Sequence, residues 1–328
     1  MKSMALGVVL VLAASSCAPA ARNTPDPLHG RTIVVDPGHG GTAATDSYRV
    51  GPGGEREEWI DLRVALILRD LLEARGARVL LTRDADTDVP LRARADLARD
   101  SSADAFISIH HNATADPTVN FPIIYYHGYA TANEAGVSLA RHLARHLTRA
   151  LFADTVEPSV VSDHVIFAGS GTAVLRHSYG TPGVIGEASF FTNPDEERRL
   201  QDSTYNRREA EAYVRALEDF FSEPVPPVRP ASTVTPLERF QTAQEAERMS
   251  DEARRWREDY EEGRRLMEGP DKNLDRAYEL LTRSARNFPD SPVARDAHLL
   301  RARILAERGR AAEAAETRRR VNEFHPRP

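Results

Sequence analysis

Between residues 27 and 223, short apolar runs alternate with stretches in which apolar positions recur every three or four residues. This is the pattern of strands joined by amphipathic helices. The runs at 32–36, 77–82, 105–110, 123–127, 164–168 and 183–188 read as strands. Residues 57–75 place Ile60, Val64, Ile67 or Leu68, and Leu71 at helical spacing, and Gly76 supplies the stop. Residues 90–100, 132–151 and 205–221 read as further helices. The pattern predicts an α/β unit with a single mixed, mostly parallel sheet flanked by helices.

The pattern then breaks. Pro224-Val225-Pro226-Pro227-Val228-Arg229-Pro230 is too rich in proline for a helix or a central strand, so 224–236 reads as a stiff, extended linker. Residues 237–328 are rich in Ala, Glu, Arg and Leu, with breaks at Gly269-Pro270, Pro289-Asp290-Ser291-Pro292 and Gly309, and predict a small all-α helical-hairpin domain. Two helices end alike, at Phe288-Pro289 and at Phe324-His325-Pro326, 36 residues apart counted from Phe288 to Phe324. That spacing resembles tetratricopeptide hairpins, with a period of about 34, although the usual Trp/Leu/Gly/Tyr positions are not recovered. A plain arginine-rich bundle or coiled-coil tail fits equally well. In both readings the segment offers contacts to a protein partner and carries no catalytic constellation.

The length of 328 residues suits a catalytic unit plus an accessory piece, and 41% hydrophobic with 28% charged residues is ordinary for a globular chain. A net charge of -6 gives no electrostatic footprint for nucleic acid. Residues 1–26 read as an export signal with a lipoprotein-type lead: Met1-Lys2 precede an apolar run too short to span a bilayer permanently. Cys17, the sole cysteine, follows Ala13-Ala14-Ser15-Ser16, the small-residue setting of lipoprotein cleavage and acylation, although Ala14 stands where leucine is commoner. Cleavage after Ala18-Pro19-Ala20, releasing a soluble protein, is the competing reading. Either predicts an exported, periplasmic bacterial protein, and the first adds a membrane anchor at Cys17.

Three of the apolar runs end on chemistry. Ile33-Val34-Val35-Asp36-Pro37 leads into Gly38-His39-Gly40-Gly41, Phe106-Ile107-Ser108-Ile109 into His110-His111-Asn112, and Gly183-Val184-Ile185-Gly186 into Glu187. In an open α/β sheet, ligands bind beyond the carboxyl ends of the strands, where His39 and His110 fall. Glu57 opens the following helix and can return to that rim. Two imidazoles and a carboxylate with a fourth position open to water form a catalytic zinc set, and Glu187 suits the base beside it. His111 competes with His110, which is preferred by motif position and because strand neighbours face opposite ways. Glu57 or Glu58 can instead be a first-turn acid favouring the helix dipole. Arg176 can hold an anionic group of a substrate or pair with Glu187, and Asn112 suits orienting its loop by hydrogen bonds. His127, His164 and His177 have no motif behind them and read as surface or core residues.

The order of segments resembles the zinc-dependent N-acetylmuramoyl-L-alanine amidase family (type 3) from about residue 31 to 221. The matching motifs are Val35 to Gly41, Arg56-Glu57, Leu80-Leu81-Thr82-Arg83-Asp84, Ser108-Ile109-His110-His111-Asn112, Val174-Leu175-Arg176, Pro182 to Glu187, and Phe191-Thr192-Asn193-Pro194. The resemblance implies one Zn2+ on His39, Glu57 and His110, Glu187 as the catalytic acid-base group, and peptidoglycan as substrate, cut between N-acetylmuramic acid and L-alanine. Ala188-Ser189-Phe190-Phe191 replaces the family's glycine-phenylalanine pair, and His111 stands where a small residue is usual. No occluding helical insertion is expected between His127 and Glu187. Two other readings remain: a noncatalytic wall-binding scaffold lipoprotein, and a zinc peptidase acting on the stem peptide.

Overall fold

The apolar runs form one six-stranded sheet in the computed structural model, which describes residues 26–41, 49–270 and 272–328. The lead before Asp26, with Cys17, lies outside the described residues. No helix among the described residues is long and apolar enough to cross a membrane. The strands are β1 (Thr32–Pro37), β2 (Arg78–Leu81), β3 (Ala105–Asn112), β4 (Ile123–Tyr126), β5 (Ser159–Ser162) and β6 (Gly183–Phe190), in the order β2-β1-β3-β6-β4-β5. Only the β4–β6 pairing is antiparallel, so β4 and β5 run against the other four strands. The sheet is mixed and mostly parallel, as predicted.

The central strands are buried on both faces, which is why they read as continuous apolar runs rather than alternating ones. Against the first face pack α1 (Glu57–Glu73), α3 (Glu134–Phe152) and α6 (Ser203–Ser222), through Ile60, Val64, Leu68, Leu143, Leu147, Tyr213 and Leu217 against Ile33, Val35, Ile107 and Ile109. The second face carries Val34, Phe106, Ile123, Tyr125, Ile185 and Phe190, covered in part by α2 (Leu91–Asp100) and α4 (Ala173–His177). The short α5 (Pro194–Leu200) starts with Pro194 at its first turn and with the Asn193 side chain accepting from the N–H groups of Asp195 and Glu196.

One predicted strand is absent. Residues 164–168 do not extend; the strand lies earlier, at Ser159–Ser162, and a 3-10 turn at Asp163–Val165 follows it. The cause is local. The Ser162 hydroxyl accepts the His164 N–H, and the Asp163 carboxylate accepts the Thr172 N–H and hydroxyl, so side chains bend the backbone that Val165-Ile166-Phe167 would otherwise extend.

Beyond the proline-rich stretch come α7 (Glu245–Arg248), α8 (Asp251–Arg254), α9 (Trp256–Glu268), α10 (Leu274–Asn287), α11 (Ala294–Glu307) and α12 (Ala311–Phe324). The helices pack consecutively, with Gly263 of α9 so close to Leu281 of α10 that a Cβ there would lie 2.8 Å from its Cγ. They also complete the second face of the sheet, where Trp256, Phe288 and Phe324 share a core with Phe121, Tyr125 and Phe190. Polar ties reinforce that contact: the Tyr125 hydroxyl donates to Asp290, the Tyr126 hydroxyl to the Glu323 carbonyl at 2.5 Å, and Thr131 to the Glu323 carboxylate.

Candidate functional site

The loop after β1 is shaped by what surrounds it. His39 has φ of 56°, a left-handed conformation costing roughly 1–2 kcal/mol in a residue with a Cβ. Buried cations hold it there. Arg94 donates to Asp36 at 2.9 Å, to the Pro37 carbonyl at 2.7 Å and to the His39 carbonyl at 2.5 Å, while Arg83 donates to the carbonyls of Pro37, Gly38 and Glu58. Asp36 also accepts from Thr82 and Ser108. A Cβ on Gly38 would overlap the His110 ring and one on Gly40 would overlap the Thr87 carbonyl, so glycine on both sides is what lets the imidazole approach β3.

Glu57 arrives as the first residue of α1, at the end of a loop gathered by one buried carboxylate. Glu197 of α5 accepts from the N–H groups of Gly53 and Glu55. A single oxygen of Glu57, Oε1, then lies 2.9 Å from His39 Nε2, 3.0 Å from His110 Nδ1 and 3.4 Å from the His111 N–H. The two imidazole rings stand edge to face, with centroids 4.6 Å apart. Arg49 lies 4.0 Å from the other oxygen of Glu57. Asp61, one turn along α1, joins these three as a group whose donor atoms all lie within 4.8 Å of one another and can hold a metal ion.

The paired alternatives separate cleanly. His110 faces the cluster, whereas His111 is fully buried on the opposite side of β3, 2.9 Å from Asp61 and 3.1 Å from Glu209. Glu58 is ion-paired with Arg56 at 2.8 Å, away from the imidazoles. Glu187 is the register partner of His110 on β6, and its Oε2 is buried without a partner among the described residues. Arg176 does not pair with Glu187; it donates to the carbonyls of Ser170 and Gly171. Asn112 accepts the next residue's N–H at 2.8 Å, just past a register irregularity in the β3–β6 pairing between His110 and Asn112.

Electrostatics sets the carboxylates apart. Burial would raise the Glu57 carboxyl, but the two imidazoles facing it hold it well below the usual range. Burial opposes a charged His39, and the Glu57 carboxylate outweighs it and raises the imidazole. Burial pushes the Asp61 carboxyl up to about 6 against the hydrogen bond from His111, and Glu57 adds to the rise. Burial pushes Glu187 up to about 8; His110 opposes it, while Glu57 and Asp61 push the same way. Burial would lower His111, yet Glu209 and Asp61 raise it well above an ordinary imidazole. Three carboxyl groups crowded around two imidazoles, with Asp61 Oδ2 and Glu187 Oε2 both unpartnered among the described residues, leave a deficit of positive charge that a divalent cation fits.

A cavity of about 600 Å³ opens beside His39 and His110, between the exposed side chains of Leu91 and Phe167, with Arg176 at its side and Val174 and Ile185 in its wall. Sequence reasoning missed Asp61, although its position four residues after Glu57 puts it on the same helix face. It also missed Arg94, Glu197 and Glu209, which no motif marks.

A profile described as N-acetylmuramoyl-L-alanine amidase matches residues 33–219. The germination-specific N-acetylmuramoyl-L-alanine amidase of Bacillus subtilis is 31% identical over 211 residues, covering 60% of this chain and 82% of that protein. The amidase AmiA of Escherichia coli is 27% identical over 230 residues, covering 58% and 76%. Among solved structures, AmiC2 of Nostoc punctiforme aligns with a TM-score of 0.50 at 30% identity, covering 59% of this chain and 98% of that one. The CwlD amidase of Clostridioides difficile, in complex with the GerS lipoprotein, aligns with a TM-score of 0.51 at 25% identity, covering 59% and 99%. With the sheet from Ile33 onward and every group of the cluster inside the matched span, this chain belongs to the N-acetylmuramoyl-L-alanine amidase family.

Proposed function

We propose that the chain hydrolyses the amide joining N-acetylmuramic acid to L-alanine in peptidoglycan, with one zinc ion held by His39, Glu57 and His110 and with Glu187 as the acid-base group. The observation that carries this reading is the meeting of two imidazole nitrogens on one oxygen of Glu57, with Glu187 in register beside His110. Two neutral imidazoles and a carboxylate suit zinc, which when bound polarises a carbonyl and makes water a stronger acid. Glu187 takes a proton from the attacking water as the new C–O bond forms and delivers it to the amine nitrogen as the C–N bond breaks. Its buried setting favours accepting that proton, and Asp61 orients His111 beneath the cluster. Arg176 holds an anionic group of the substrate, and Asn112 orients the loop after β3.

Export, acylation at Cys17 and a periplasmic location at a membrane belong to the same proposal, supported by the leader's sequence. The domain plan is 27–223 for catalysis, 224–236 as linker and 237–328 as a tetratricopeptide-like module presenting a surface to a protein partner. The close α9–α10 approach at Gly263 and the matching Phe-Pro helix ends support the module's likeness.

The full chain should release material from purified sacculi, lose that activity to a chelator and regain it with zinc. Glu187→Gln should lower the rate about 10²–10⁴-fold. New free L-alanine amino termini on the released peptides mark the muramoyl amide as the bond cut. Release of peptide fragments with the muramoyl-alanine bond intact would instead make it a stem-peptide peptidase.

A further inference from the structure

A second cluster of metal-ligating side chains lies away from the one described. His127 directly follows β4, and Asp163-His164 directly follow β5. The strands are parallel, with Tyr126 and Ser162 in register, so the three side chains gather at the carboxyl ends of neighbouring strands. Because β4 and β5 run against the rest of the sheet, this is the opposite edge from the first cluster. His127 lies four residues, roughly 13 Å, along the chain from Ile123, the register partner of Glu187.

The local geometry repeats that of the first cluster. His127 Nδ1 lies 2.8 Å from Asp163 Oδ2, and the His127 and His164 rings stand edge to face at 5.4 Å. One donor atom from each of the three residues lies within 4.8 Å of the others. Asp163 is fully buried, and among the described residues its only ion-pair partner is His127, with no arginine or lysine on it. Its carboxylate is held in place by the N–H groups of Gly128 at 3.2 Å and Thr172 at 2.8 Å and by the Thr172 hydroxyl at 3.0 Å. Ligating carboxylates are commonly fixed by such outer hydrogen bonds. Buried carboxylates are commonly paired or coordinate a metal.

We infer that His127, Asp163 and His164 form a second site for a divalent transition metal of the zinc class, with a fourth position left to water, at the joint between the sheet and the helical module. Two imidazoles and one carboxylate select that class of ion over calcium or magnesium. The surroundings give the metal something to fasten. Phe324 of α12 packs on the His164 ring at 5.6 Å, and Tyr129 stacks against both His164 and Phe324. Tyr179 meets the His127 ring and donates to the Arg229 carbonyl, and the Tyr129 hydroxyl accepts the Leu237 N–H, so both ends of the extended segment are tied to this spot. The loop from Asp163 to Thr172 also runs to the catalytic cavity, where Phe167 forms its exposed lip.

The test is a metal count on the full chain, stripped with a chelator, loaded with zinc and desalted. His39→Ala with His110→Ala disables the first cluster, and that variant should retain one tightly bound zinc per chain. Adding His127→Gln and His164→Gln should remove it, with far-UV circular dichroism as the control for folding. Retention of no zinc by the His39→Ala, His110→Ala variant overturns the inference, as does one zinc that survives the two glutamine substitutions. Where the glutamine variant does not fold, cobalt in place of zinc in the His39→Ala, His110→Ala chain decides: a tetrahedral visible spectrum supports the site, and its absence overturns it. The readout does not require the chain to be an amidase, so either reading can fail without the other.

Discussion

Arg94 and Asp36 show how a single buried ion pair governs the candidate site. Arg94 is 2% exposed, and its guanidinium reaches a carboxylate, the Pro37 carbonyl and the carbonyl of His39 itself. Arg94→Met would leave Asp36 charged and uncompensated, which costs about 3–5 kcal/mol when one partner of a buried pair is removed. It would also release His39 from its left-handed conformation. A lower urea midpoint together with weaker zinc binding is expected; unchanged zinc affinity in a folded variant would show that the loop holds His39 without this arginine. At this scale the motif residues were legible because geometry restricts them: side chains at 38 and 40 would overlap the His110 ring and the Thr87 carbonyl, so glycines flank His39, and strand alternation separates His110 from His111. Arg94 and Glu197 were not legible, since their work is done on backbone groups far away in sequence, and any surface arginine or glutamate looks the same in a linear reading.

The long elements were read closely because an amphipathic period over α1, α3 or α6 is a strong signal, whereas α4 and α5, of five and seven residues, give too few turns to show one. The misplaced strand near 164–168 failed for a related reason: apolar content pointed to extension, while two side chains, Ser162 and Asp163, bent the backbone. The relation between the helical module and the sheet was invisible in the sequence, because neither surface is marked as the other's partner. Phe121, Tyr125 and Phe190 on one side and Trp256, Phe288 and Phe324 on the other bury one another. A fragment ending at residue 223 would expose the first set, and burial of each such side chain stabilises by roughly 1.5–3 kcal/mol. Residues 26–223 should therefore melt well below the full chain and bind an apolar dye. Equal melting temperatures would mean that the catalytic unit stands alone.

Across the whole molecule, buried imidazoles set a pH dependence. His298 of α11 and His325 just past α12 stack at 5.2 Å inside the module. Burial lowers both, His298 well below 6.5, with Arg301 adding to it, and His325 to about 3, with Arg320 and Arg295 adding. Such a group takes a proton when unfolded but not when folded, so stability is intact above pH 6.5 and is lost as pH falls toward 3. The slope is up to about 1.4 kcal/mol per pH unit for each histidine. Between pH 6.5 and 4.5 the urea midpoint of the wild type should fall relative to that of His325→Phe, the raised Glu187 and Asp61 carboxyls acting in the opposite sense in both chains; parallel profiles of the two chains in that window would contradict the burial of the His325 ring. The sharing of one core by Val34 and Phe324 has a kinetic side as well. Contacts spanning nearly the entire chain close last and slowly. The second face of the sheet therefore stays bare while the module is still forming, a period in which neighbouring chains can adhere through Phe121 and Phe190 and in which a holding chaperone has most to protect.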